Sequence, residues 1–110
     1  MVRMTVSLAP GEAERIIAHA VGNSGMSVEQ IGSHHSTSPD GKAAILLVYD
    51  KYYMRNSSRA SLSVLIENVG GSTTVVAIGS GGSQGAIFNF DWGSASNFEK
   101  TISQAMQPYA

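Results

Sequence analysis

The sequence predicts an α+β two-layer sandwich: an antiparallel sheet of five to six strands with two helices covering one face. Three observations carry this. Apolar side chains alternate with period two through the middle of the chain, from Met26 to Ile78. Helical spacing is confined to two segments that flank this region. The breaks between the alternating runs are short turn formers, which gives a meander of antiparallel strands packed against helices.

The first strand is short, over residues 3–8, with Met4, Val6 and Leu8 on one side. Pro10 suits the first turn of a helix and Glu12 and Glu14 favour its positive end, while Gly22 to Gly25 ends it. Ala13, Ile16, Ile17, Ala20 and Val21 form its apolar stripe, opposite Glu14, Arg15 and His19. Met26, Val28 and Ile31 begin a second strand, closed by the turn Ser36-Thr37-Ser38-Pro39-Asp40-Gly41. Lys42 to Tyr53 is the most hydrophobic strand and is expected at the centre. In the fourth, Ala60, Leu62, Val64 and Ile66 oppose Ser61, Ser63 and Glu67. Gly70-Gly71 makes a tight hairpin to the fifth, Thr73 to Ile78. Ala86, Phe88 and Phe90 alternate with Ile87 and Asn89, which admits a sixth strand over 86–90. Ser96-Asn97-Phe98-Glu99 matches a capping box, so the last helix is expected to begin there and end before Pro108, with Phe98, Ile102, Ala105, Met106 and Tyr109 on one stripe. The order β-α-β4-α matches TATA-binding-protein-like and helix-grip folds, a likeness of architecture that carries no function.

At 110 residues the chain fits a single domain over 1–110. A hydrophobic content of 43% with 14% charge is that of a globular protein. The net charge of −1 gives no field to steer the chain to nucleic acid or an anionic membrane, and neither is expected as a partner. With no cysteine, disulfides, thiolate nucleophiles and Cys-ligated metals are excluded. The first residues lack the long apolar stretch of a signal peptide or membrane helix, so a cytoplasmic protein is expected.

Strand directions place every unusual polar or glycine-rich segment except the Ser36–Gly41 turn on one rim. There the hairpin tip carrying Arg55, Asn56 and Arg59 meets Gly79-Ser80-Gly81-Gly82-Ser83-Gln84-Gly85. Glycine allows positive φ and close approach, so this loop is a candidate nest of backbone N–H groups for a small anion, helped by the two arginines. It lacks the Lys-Ser/Thr of a P-loop. The plainer alternative, a crossing from sheet to helix that packs backbone on backbone, is preferred, because such loops without a catalytic lysine are common. Tyr52 and Tyr53 at the strand end, and Trp92 beside Asp91, are candidate interface residues. Their simpler reading is ordinary packing, with Trp92 closing the core beneath the last helix.

His34 and His35 are adjacent in a strand and so point to opposite faces, unable to chelate one ion. His19 has no ligand type at i+4, and no metal or cofactor is indicated. No Gly-x-Ser-x-Gly elbow and no paired carboxylates occur, so catalysis has no support.

The strings Asp50-Lys51-Tyr52-Tyr53-Met54-Arg55-Asn56-Ser57-Ser58-Arg59-Ala60-Ser61-Leu62 and Gly79–Gly85, with Phe90-Asp91-Trp92-Gly93, resemble a family of small uncharacterised proteins, a domain of unknown function, from Gram-positive bacteria. The resemblance spans nearly the whole chain. It implies a single-domain bacterial cytosolic protein and brings no activity, cofactor or catalytic residue.

Apolar side chains at Ile45, Leu47, Tyr49, Leu65, Val76 and Ile78 alternate with the Ala60–Ile66 stripe or its neighbours, so both sheet faces are expected to be apolar while two helices cover only one. The expected function is a non-enzymatic binding or interaction module acting as a homo-oligomer, in the simplest case a dimer. The alternative is a helix-grip carrier of a small apolar or anionic ligand.

Overall fold

The computed structural model describes residues 1–24, 28–53, 58–81 and 89–110, with side chains for all of these except 53, 58 and 89–97. In chain order the elements are β1 (Val2–Val6), α1 (Pro10–Gly22), β2 (Val28–Thr37), β3 (Ala43–Tyr53), β4 (Ser58–Glu67), β5 (Thr73–Gly81) and α2 (Asn89–Met106), followed by a short 3-10 turn at Gln107–Tyr109.

The strands form one sheet in the order β1-β5-β4-β3-β2, with β4 at its centre and every neighbouring pair antiparallel. The centre is thus the strand with the cleanest alternation, and the more hydrophobic β3 lies beside it. The hairpins follow from their turn residues. Gly41 and Gly71 hold φ of +88° and +100°, a region open to glycine at little cost. The N–H of Gly71 closes the β4–β5 turn onto the Asn68 carbonyl at 2.9 Å.

In α1, Pro10 stands at the first helical position, and the Glu12 carboxylate accepts the Ala9 N–H at 3.0 Å. Ala13, Ile17 and Val21 are fully buried. From α2, Phe98, Ile102 and Met106 join them. The sheet contributes Ile45, Leu47 and Tyr49 from β3, alternate residues Ala60 to Ile66 from β4, and Val75 and Ala77 from β5, all in one buried cluster with the helices. Burying each of these larger side chains contributes roughly 1.5–3 kcal/mol.

Several expectations change. The last helix begins at Asn89 rather than Ser96, so Asn89 and Phe90 belong to a helix and not to a sixth strand, and residues 86–88 lie outside the described ones. The sequence spacing of Phe98, Ile102 and Met106 runs back through Ala95 and Trp92, and Gly93 interrupts it at a cost of only about 1 kcal/mol. The first residues of the expected glycine loop are strand: Gly79, Ser80 and Gly81 pair with Leu62, Ser61 and Ala60. The helices do not share the sheet evenly. α2 lies over β5, β4 and β1, whereas α1 packs along α2 and reaches β2, β3 and β4. Within β2 the register shifts between Gln30 and Gly32, and this bulge leaves Ile31 exposed.

Candidate functional site

Register decides which apolar side chains the helices cover. Tyr49 is opposite Leu62, Leu47 opposite Val64 and Ile45 opposite Ile66, so these β3 residues belong to the helix-covered face. Leu65, Val76 and Ile78 occupy the other face, joined by Leu46 and Val48, which sequence reasoning did not single out. The continuous apolar run of β3 hid the assignment, because alternation cannot be read where both faces are apolar.

On the open face the side chains fall into cross-strand rows. Arg3, Val76, Leu65, Leu46 and His34 form one row, and Ile78, Ser63, Val48 and Gly32 the next. Leu46, Leu65 and Ile78 are 42%, 39% and 50% exposed, against complete burial for most of the helix-covered face. Polar rows bound this band, with Thr74 and Glu67 on one side and Ser80, Ser61, Asp50 and Glu29 on the other. The result is an apolar strip with charge only at its margins.

The predicted rim exists in the backbone: the starts of β2 and β4 and the ends of β3 and β5 meet at one end of the sheet. Tyr52 and Arg59 are cross-strand partners there, with the Arg59 guanidinium 5.7 Å from the centre of the Tyr52 ring and 3.4 Å from Asp50 Oδ2. With Val28 and Glu29 they line a shallow groove of about 290 Å³. Arg55, Asn56, Gly82, Ser83, Gln84 and Gly85 lie outside the described residues, as do the side chains of Tyr53 and Trp92.

The backbone N–H of Gly79 donates to Glu99 Oε2 at 2.7 Å, while Glu99 Oε1 accepts from the Met1 amino group at 3.1 Å. Gly79 lies just past the end of the β1 ladder at Val2↔Ala77, so its N–H is met by a carboxylate rather than by a strand. The sequence signal at Glu99 was misread as the end of a capping box. In a helix that starts at Asn89, Glu99 is an interior residue and turns to the sheet. Beneath the same rim, Lys51 Nζ donates to the Ser24 carbonyl at 3.2 Å and lies 5.6 Å from the Phe98 ring centre. Burial lowers the Lys51 pKa.

The two histidines diverge as expected. His34 stands opposite Leu46 on the open face, and His35 reaches Glu14 of α1 at 2.8 Å. Among the described residues no group of three or more His, Asp or Glu could hold a metal ion, and no helix is long and apolar enough to cross a membrane. Away from the rim, the Ser36–Lys42 turn and Val69 border an open groove of about 510 Å³. There Ser38 Oγ donates to Asp40, which holds that carboxyl below its usual range.

An antiparallel five-stranded sheet covered by helices on one face, with an exposed apolar strip on the other, defines this as an α+β protein. A family model described as a family of unknown function, DUF6054, matches residues 2–110, and the chain belongs to that family. No curated protein and no solved structure matches it.

Proposed function

We propose that this protein is a non-enzymatic interaction module that forms a homodimer by laying the open sheet faces of two copies together. The apolar strip of Leu46, Val48, Leu65, Val76 and Ile78 carries this reading. The size of the face that carries it fits: five strands and a β3–β4 ladder running from Ala44 to Tyr53 span at most roughly 24 Å by 33 Å, on the order of 800 Å² with the polar marginal rows included. A standard stable interface takes about 800 Å² from each partner. Its composition fits as well, because charge is depleted from the centre and kept to the margins at Arg3, Glu29, Asp50 and Glu67. Sedimentation velocity from low to high micromolar protein tests it. A dimer is expected, dispersed by Ile78→Asp, and a monomer at high micromolar concentration overturns the reading.

One observation favours a second reading, a seat for a small anion at the rim: the Gly79 N–H already holds a carboxylate. That carboxylate is the chain's own Glu99, and Arg59 is paired with Asp50, so an external phosphate or carboxylate must compete with both. A thermal-shift comparison of wild type and Arg55→Ala with phosphate and carboxylate metabolites tests it. Identical responses remove it. A helix-grip carrier needs space beneath α2, and the complete burial of Leu62, Val64, Ala77, Ile102 and Met106 in one cluster supports a filled layer instead.

A further inference from the structure

The open face is not uniformly flat. Along the central strand β4, Leu65 stands exposed and Ser63, two residues away on the same face, is half-buried, so a protrusion lies beside a hollow. Val48 and Ile78 flank Ser63 as its cross-strand partners and wall the hollow on both sides. A surface that pairs with itself about a two-fold axis must bring protrusions onto hollows, and the direction of the axis decides whether this one does.

An axis running along β4 would place Leu65 on the partner's Leu65 and Ser63 on the partner's Ser63, a clash beside a void. An axis across the strands, midway between the Leu65 and Ser63 rows, does the reverse. It sets β4 antiparallel over β4 of the second copy and carries each row onto the other. Resting on the homodimer reading above, we infer that the two copies pair about this transverse axis, with Leu65 of each seated in the hollow over the partner's Ser63. The neighbouring contacts are then apolar on both sides, Leu46 on the partner's Val48 and Val76 on the partner's Ile78. The twist of packed sheets, about −30° between their strands, confines this register to the rows nearest the axis.

Exchanging protrusion and hollow tests the geometry. Leu65→Ser leaves two hollows facing each other, and Ser63→Leu sets leucine on leucine, so each single change is expected to raise the dimer dissociation constant about tenfold. The double variant Leu65→Ser/Ser63→Leu restores a protrusion over a hollow and returns the constant to within about threefold of wild type, a coupling that independent sites do not show. Sedimentation equilibrium reads all four proteins, and circular dichroism confirms that each is folded. A wild type that dimerises while the double variant is as weak as the summed singles overturns the transverse axis and leaves the homodimer reading standing. Tighter association of Ser63→Leu than wild type also overturns it, because filling a gap between facing serines has that effect. A monomeric wild type removes the homodimer reading itself, and this inference with it.

Discussion

The backbone N–H of Gly79 and the carboxylate of Glu99 meet at 2.7 Å, tying the end of β5 to the helix that follows it. A charge-assisted bond of this kind, partly shielded from water, contributes about 1.5–3 kcal/mol. Glu99→Ala is therefore expected to lower stability by about 2 kcal/mol in urea unfolding, whereas Glu99→Gln, which keeps an acceptor, loses less than half of that. Equal losses in both variants would assign the whole effect to the carboxylate's charge, which the Met1 amino group also meets at 3.1 Å, and overturn the role given to the acceptor alone.

Tyr49 presents the opposite situation. Its ring is buried in the core at 3% exposure, and its hydroxyl has no hydrogen-bond partner among the described residues. Leaving such a group unmade costs about 1–3 kcal/mol, so Tyr49→Phe is expected to match or exceed wild-type stability, by up to about 1 kcal/mol. Burial, with Glu14 nearby, raises the phenol's pKa above 10.0. A raised folded pKa means the native state holds the proton longer than the unfolded chain. The stability linked to it is intact below pH 10 and is lost as pH rises through the folded value. Urea midpoints at about pH 8 and about pH 11 should show the gap between Tyr49→Phe and wild type widening in favour of the variant.

At the far end of the sheet, the Ser38 hydroxyl and then the Lys42 N–H lower the Asp40 pKa below 3.8. A depressed folded pKa gives stability that is present above the unfolded value and is lost as pH falls through the folded one. Ser38→Ala is expected to raise the Asp40 pKa towards its ordinary value in an NMR carboxyl titration. An unchanged titration would assign the shift to the Lys42 amide at 3.3 Å.

How much of this was legible in the sequence depends on whether the cause was local. Pro10, the Ala13–Val21 stripe, the Gly70-Gly71 hairpin and the alternation of Ala60 to Ile66 are local, and each element they imply is present. What was misplaced depended on non-local partners. Gly79 to Gly81 look like a loop by composition, yet they are strand because Ala60 to Leu62 pair with them. Ser96 to Glu99 satisfies a capping pattern inside a longer helix. The run Ala43 to Tyr49 carries apolar side chains on every residue, so only pairing with β4 assigns its two faces. The rim was half legible: strand directions alone brought Arg59 and Gly79 to one end, but nothing in their spacing revealed that Asp50 and Glu99 engage them.

Leu46 and Leu47 are neighbours in sequence and opposites in consequence. Leu47 is 1% exposed beneath the helices, and Leu46 is 42% exposed on the open face. Truncating a buried leucine removes its transfer free energy and leaves a cavity, so Leu47→Ala is expected to cost about 2–5 kcal/mol of folding stability. Leu46→Ala removes a side chain that the monomer leaves 42% exposed, so its effect on monomer unfolding should be well below that of Leu47→Ala. Under the homodimer reading the order reverses for association. Leu46→Ala then weakens the dimer about tenfold, while Leu47→Ala, if folded, leaves its dissociation constant near wild type. Unfolding measured at low nanomolar protein separates the first effect from the second, because a dimer's apparent stability depends on its concentration. A Leu46→Ala variant that unfolds as readily as Leu47→Ala under those dilute conditions would mean that the face is covered within a single chain, and the open sheet would no longer be available to a partner.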